Sequence, residues 1–213
     1  MEEVDFIKLR EEVLPRIKEG NVCPYTYRAM YRADNFPAMV RVLRENMVYL
    51  LRAGSQWGVS YLKELYSRFR DEFNRNGFYM NEDAAAGTVL STGFSHVKVS
   101  GSVELFALES SVYEAEGHVR VFATDSSKGT VTDRVRVNMD GDSVCTARGF
   151  SEISASGNSR VIADGAVTVW AGGNSEVTAL RWKKITAFGN SRVQGPMRRN
   201  IEIKENSVLE LIK

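Results

Sequence analysis

The chain has little of what usually announces a chemistry. Among 213 residues there are 2 cysteines, 2 histidines and 4 prolines. Cys23 and Cys145 stand far apart, too few for a disulfide framework or a metal cluster, so both read as reduced thiols in a cytoplasmic setting. His96 and His118 have no Cys or clustered carboxylate at ligand spacing, which points to no metal site, no nucleophile–histidine pair and no cofactor. An excess of one charge is missing too. Lys plus Arg (28) balances Asp plus Glu (27), leaving +1, and such a chain has no overall field to draw it to nucleic acid or an anionic membrane. No apolar run reaches the ~18 residues of a membrane span, and the opening MEEVDFIKLREEVL is acidic without a signal-like core. Membrane insertion and export by the usual signal are not expected.

What is present is two rhythms. Residues 1 to about 80 are helical in period: Leu62, Leu65, Tyr66, Phe69 and Phe73 follow Trp57 at spacings of three and four, and Gly77 ends the run. Met39, Val40, Leu43, Met47, Val48 and Leu51 make a second stripe. Val4, Ile7, Val13, Leu14 and Ile17 make a weaker first one, interrupted by Pro15. A short extra helix is expected within Asn21 to Asp34, entered at Pro24. The spacing predicts a small bundle over 1–80. Its basic residues are mostly Arg, which suits phosphate contacts, but acids match them one for one and nucleic-acid binding is not expected.

From about Ala85 to the end, an eight-residue period replaces the helical one. Octads counted from Gly93 carry Val97, Leu105, Tyr113, Val121, Gly129, Val137 and Cys145 at their fifth position, and mostly Ala at the seventh. Alternation of this kind means a strand with one face inward. The first two positions, often Gly then Asn, Asp or Ser, are turns. Serine at the third position returns every 16 residues, from Ser95 and Ser111 through to Ser207, so the true repeat is two octads. Two strands and two corners per repeat describe a β-solenoid of two facing parallel sheets over 85–213, its coils stacked at about 4.8 Å. The fold class is therefore α+β with two domains. Small inward residues let the two walls approach closely. Asn158, Asn174, Asn190 and Asn206 fall in one corner column as a structural amide ladder. Gly129, Lys183 and Arg199 break the pattern.

Candidate sites are few. Asp140-Gly141-Asp142 lacks the repeating loop aspartates of calcium-binding β-rolls, and Cys145 is an inward small hydrophobe. Outward aromatics are less ordinary. Phe106 and Phe122, with Leu90, lie on one outer face near the start of the solenoid, where the helices are expected to fold over them. Trp170, Trp182 and Phe188 lie several coils further on and are candidates for a protein partner or self-association surface. The last coil is bulkier, with Ile201, Ile203, Leu209 and Leu211 inward, and its edge is expected to be protected by charges such as Arg198 and Lys204 or paired with a second copy.

The helical segment CPYTYRAMYRADNFPAMVRVLRENMVYLL, the helix end FNRNGFYMNED and the Gly-Asn-Ser-x-Val-x-Ala repeats together resemble uncharacterised proteins of gut bacteria and their phages or mobile elements. The resemblance implies phage or mobile-element derivation, with virion association as one setting, and carries no activity to transfer. The expected function is a non-enzymatic structural or protein-interaction scaffold that self-associates. The alternative is a glycan-binding or attachment module that stacks sugar rings on Trp170 and Trp182. A polysaccharide-acting enzyme is the third reading, and would need clustered carboxylates where Glu104, Glu114, Glu152, Glu176 and Glu202 look scattered.

Overall fold

The computed structural model describes residues 3–19, 23–51, 58–196 and 199–212. The chain divides into two compact units, Met1–Met80 and Asn81–Lys213. Four helices make up most of the first: α1 (Glu3–Glu19), α2 (Pro24–Arg32), α3 (Phe36–Leu50) and α4 (Val59–Arg75), followed by the short strand β1 (Phe78–Met80). Helix α1 runs through Pro15 instead of being interrupted there. The ring removes the donor that would have met the Glu11 carbonyl, yet Phe6, Leu9, Val13 and Ile17 form one buried stripe across it, and that packing outweighs the lost bond. Helix α2 starts on Pro24, whose missing N–H costs nothing in the first turn. Helix α3 is capped by Asn35, whose Oδ1 accepts from the Ala38 amide at 2.8 Å. Helix α4 departs from helical angles at Phe69 (φ −132°, ψ 34°), and Gly77 beyond its end takes φ 71°, the left-handed C-terminal position expected of it. Among the described residues no helix is long and apolar enough to cross a membrane. The expected helix beginnings at Asn21 and Trp57, the Val4 side chain and Arg198 lie outside the described residues.

The core of this unit is large and aromatic. Phe36 meets Phe73 edge-on with centroids 5.2 Å apart, and Phe73 meets Phe78 at 5.2 Å and Tyr66 at 5.7 Å. Its one buried polar pair is satisfied: Thr26 Oγ1 donates to Asn46 Oδ1 at 2.7 Å, and Asn46 Nδ2 to the Val42 carbonyl at 2.8 Å. Helices α1 and α4 are tied by Arg68, which donates to both oxygens of Glu12 at 2.8 and 3.0 Å.

The second unit is a parallel β-solenoid of about eight turns. Its strands are β2 (Ala84–Ser91), β3 (His96–Ala107), β4 (Val112–Ala115), β5 (Arg120–Ala123), β6 (Lys128–Val131), β7 (Arg136–Met139), β8 (Val144–Gly149), β9 (Glu152–Ala155), β10 (Arg160–Gly165), β11 (Thr168–Ala171), β12 (Glu176–Arg181), β13 (Lys184–Ala187), β14 (Arg192–Gly195), β15 (Ile201–Ile203) and β16 (Val208–Leu211). From β3 onward each strand pairs with the next but one in parallel, and the register is the sixteen-residue step: Val161 faces Val177, Val169 faces Ile185, Ala147 faces Ala163. The order runs β15-β13-β11-β9-β7-β5-β3-β4-β6-β8-β10-β12-β14-β16. The expected pair of sheets is therefore hydrogen-bonded as one, because β3 runs unbroken through a corner and pairs with β4 by its first half and with β5 by its second.

As far as Val193, fifth- and seventh-position side chains fill the interior: Val97, Leu105, Val121, Ile153, Val169, Ile185 and their alanine neighbours are buried, whereas in the last coil Ile201, Ile203 and Leu209 are half-buried and Leu211, expected inward, is 61% exposed. The third-position serines from Ser111 to Ser191 are buried as well. Ser191 Oγ donates to the Phe188 and Ala171 carbonyls at 2.9 and 3.1 Å, whereas the hydroxyls of Ser111, Ser127, Ser143, Ser159 and Ser175 have no partner among the described residues.

Most corners open on a left-handed residue, Gly165 and Arg181 being exceptions. Glycine holds that place at Gly157, Gly173 and Gly189 (φ 62°, 62° and 65°), and Asp or Glu at Glu109, Asp125, Asp133 and Glu205 (φ 55–62°). The acidic residues have a specific use. Asp125 Oδ2 accepts from the Glu109 amide at 2.9 Å and Glu205 Oε2 from the Gly189 amide at 2.6 Å, so the side chain satisfies a donor one coil earlier. Backbones stack tightly here: a Cβ on Gly173 would lie 3.0 Å from the Gly157 amide nitrogen. The amide ladder forms in the same column, Asn190 to Asn174 and Asn174 to Asn158 at 3.4 Å, ending on Asp142 at 3.1 Å.

The break at Gly129 has a local cause. Tyr113, fully buried, lies in the same column one coil earlier, and a Cβ on Gly129 would fall inside its ring. The glycine makes room for the phenol, which reaches Cys145 two coils from its own. Burial drives both groups' pKa values up, that of the Cys145 thiol to about 12, with the neighbouring thiol a smaller cause at Tyr113.

Candidate functional site

The outer faces of the solenoid are built from positions two, four and six of each octad, and the sixteen-residue register decides which of these meet. Cross-coil ion pairs are the rule. Glu104 faces Arg120 (3.8 Å), Arg136 faces Glu152 (3.0 Å), Arg160 faces Glu176 (3.3 Å) and Arg192 meets Glu210 (3.3 Å). Glu114 meets Lys98 and His96, both at 3.1 Å. The Lys98 hydrogen bond first, and then His96, hold the Glu114 carboxyl below its ordinary range. Lys184 does the same for Glu202, and Arg181 for Asp164. Opposite charges directly across strands stabilise a sheet, although each exposed pair adds little.

One place departs from that rule. Arg120 and Arg136 face each other in register on β5 and β7, so the column reads Glu104, Arg120, Arg136, Glu152, with two cations adjacent. Beside them, in the corner that follows each even-numbered strand, His118, Arg134 and Phe150 form the second-position column. The two columns line a groove of about 600 Å³ together with Val119, Glu152 and Lys183. Arg134 and Lys183 have no ion-pair partner among the described residues. Phe150 is 68% exposed, a large apolar ring with no cover.

Lys183 reaches this groove through an irregularity. As a third-position residue it would point inward, where Val119, Val135 and Val167 are buried. Pairing of β10 with β12 instead slips after Ala163, so that Asp164 faces Arg181, and both Lys183 and Lys184 amides point at the Val167 carbonyl (2.9 and 3.4 Å). The slip turns the ammonium outward and spares the core a buried charge.

The aromatic candidates read from the sequence fall in different places: Phe106, Phe122 and Trp170 share one outward register column, and Trp182 and Phe188 lie in corners. Phe106 and Phe122 stack with centroids 4.9 Å apart and planes 8° from parallel, Phe106 being buried and Phe122 half-buried. Trp170 on β11 is 42% exposed and Phe188, in the corner after β13, 40%. A Cβ on Gly172 would collide with the Phe188 ring, which shows that the ring lies over that glycine. Trp182 sits in the other corner, half-buried, with Nε1 donating to the Arg199 carbonyl at 3.0 Å.

A second depression of about 400 Å³ holds Glu114 and Glu116 with Lys98 and Thr130. Glu104 and Glu114 lie on different ladders, one answered by Arg120 and the other by Lys98 and His96. Among the described residues no three of His, Cys, Asp and Glu are placed to hold a metal ion. Compared with protein-family models, curated proteins and solved structures, the chain matches none. The resemblance to proteins of gut bacteria and phages thus rests on the quoted motifs alone.

The basic groove is what sequence reasoning missed, and its signal was present. His118, Arg134 and Phe150 are one sixteen-residue column and Arg120 and Arg136 another, written in the same register that revealed the core. Only the outward turn of Lys183 had no trace.

Proposed function

We propose that this chain is a non-enzymatic binding protein whose solenoid is a fixed scaffold, with the basic groove at His118, Arg120, Arg134, Arg136, Phe150 and Lys183 as its contact site. The observation that carries the reading is the pair of adjacent arginines in register beside Arg134 and Lys183, which have no ion-pair partner among the described residues, in a chain of formal net charge +1. Cations placed side by side are disfavoured in a sheet, and an anionic partner relieves that repulsion. The outer carboxylates support the absence of catalysis: Glu114, Asp164 and Glu202 are held low by cations, the opposite of the raised value a general acid needs. The two strand ladders then serve as the two walls of each coil, and the four helices as a bundle of their own.

Recovery of the protein with its partners from cell extract, compared with an Arg134→Ala/Arg136→Ala chain, tests this. Loss of the specific partner in the variant is expected, and identical recoveries would remove the reading. Self-association is a second reading, favoured by the exposed Trp170 and Phe188. Sedimentation should show an oligomer that Trp170→Ala weakens, and a strict monomer at high concentration would end it.

A further inference from the structure

We infer that the groove binds an acidic oligosaccharide, with its carboxylate or sulfate groups on the cations and one sugar ring on Phe150. The inference rests on the binding-protein reading above and adds the chemical class of the ligand. Three features point to it.

The first is length. His118 and Phe150 lie two coils apart in one column, and Lys183 stands a further two coils on, so the groove spans four coils, roughly 20 Å along the stacking direction. That is the reach of an oligomer rather than of a single phosphate or sugar.

The second is how the charge is arranged. Arg120 and Arg136 repeat at the coil spacing of about 4.8 Å, with Arg134 beside them, which matches a ligand bearing anions at short, regular intervals. Their field is local and partly answered by Glu104 and Glu152. Duplex or single-stranded nucleic acid is held by many more phosphate contacts and by a broadly basic surface, and this chain carries only +1.

The third is Phe150. Its exposed ring projects beside the cations, and aromatic rings pack well against the apolar faces of sugars. A groove meant for inorganic anions alone would have no use for it. Ala166 follows Phe150 in the same column and leaves the space next to the ring open.

The test is titration calorimetry on the full chain with four probes of similar length: an oligogalacturonate, a sulfated heparin fragment, a neutral dextran oligomer and oligo(dT). Binding of one or both acidic sugars is expected, weakening as salt rises. The oligogalacturonate bears carboxylates alone and the heparin fragment sulfates as well, so a preference for heparin reads the contribution of sulfate. Arg134→Ala and Lys183→Ala should each weaken binding about tenfold, equal to about 1.4 kcal/mol. Phe150→Ala should weaken it too, while Phe150→Tyr retains it. All three positions are on the surface, and unchanged circular dichroism checks the fold of each variant.

Equal binding of neutral dextran, tighter binding of oligo(dT), or indifference to all three alanine changes would overturn the inference. If no sugar binds but the Arg134→Ala/Arg136→Ala chain still loses its partner from extract, the ligand class falls and the binding-protein reading stands. If that variant also recovers the same partners, both fall together.

Discussion

The helical unit and the solenoid solve the problem of filling a core in opposite ways. In the first, a few large side chains from different helices meet in one cluster, with Phe73 touching Phe36, Tyr66 and Phe78. In the second, many small side chains each sit above a near copy of themselves, as Val161 does opposite Cys145 and Val177. The difference governs how each tolerates exceptions. A helical core absorbs an odd residue by repacking several neighbours, whereas a column has only the coil before and the coil after. A bulky side chain there requires a vacancy directly next to it. Tyr113 has Gly129 in this way, and in an outer corner the half-exposed Phe188 has Gly172.

That contrast can be broken or sharpened by experiment, beginning with the two thiols. Cys23 is exposed beside α2, while Cys145 is buried with its pKa pushed up to about 12. At pH 8 a thiol reagent should modify Cys23 at once and Cys145 only as the solenoid opens, a difference of orders of magnitude in rate. Peptide mass spectrometry over time reads it, and comparable rates would mean that the Tyr113–Gly129–Cys145 column is not closed.

Gly129→Ala comes next. It places a methyl group inside the Tyr113 ring and should cost about 3 kcal/mol in urea unfolding. Adding Tyr113→Leu should recover most of that, and a double-mutant cycle without coupling would refute the pairing. Gly173→Ala should cost about 1–2 kcal/mol through its φ of 62°, whereas Gly58→Ala before α4, where nothing lies within 4 Å, should cost about 0.5 kcal/mol.

Smaller still is the Glu12–Arg68 bridge of the helical unit. The Arg68 hydrogen bond holds the Glu12 carboxyl below its ordinary value, so its contribution is present above the unfolded pKa and disappears as pH falls through the lowered folded one. Because both side chains are more than a third exposed, Glu12→Gln should cost only about 0.5 kcal/mol at pH 7 and progressively less as the pH falls through the lowered folded value. Least of all is Asn174→Ala, which removes two exposed hydrogen bonds of 3.4 Å and should cost about 0.3 kcal/mol. A much larger loss would make the ladder a principal support of the corners.

The solenoid was legible because its information is periodic: inward Val, Ala and Ser fall in columns sixteen residues apart. The single hydrogen-bonded sheet was not legible, since it depends on β3 passing through Ser100-Gly101-Ser102 without a break. Helix α1 was read as interrupted at Pro15 because local preference was weighed without the buried stripe on both sides of it. Gly129 looked like a defect until Tyr113 was seen over it. The candidate groove combines both cases: its columns could be written out from the register, but Lys183 enters it through a slip in pairing that residue types alone do not encode.

The glycines and acids that open most corners have an evolutionary corollary. Since every such residue answers only to its counterpart one lap away, duplication or loss of sixteen residues rejoins equivalent surfaces, and the protein can change its length in whole laps without a new fold. Removing residues 117–132 is the forbidden excision: it would bring Tyr113 down directly onto Cys145, two side chains where the column has space for one.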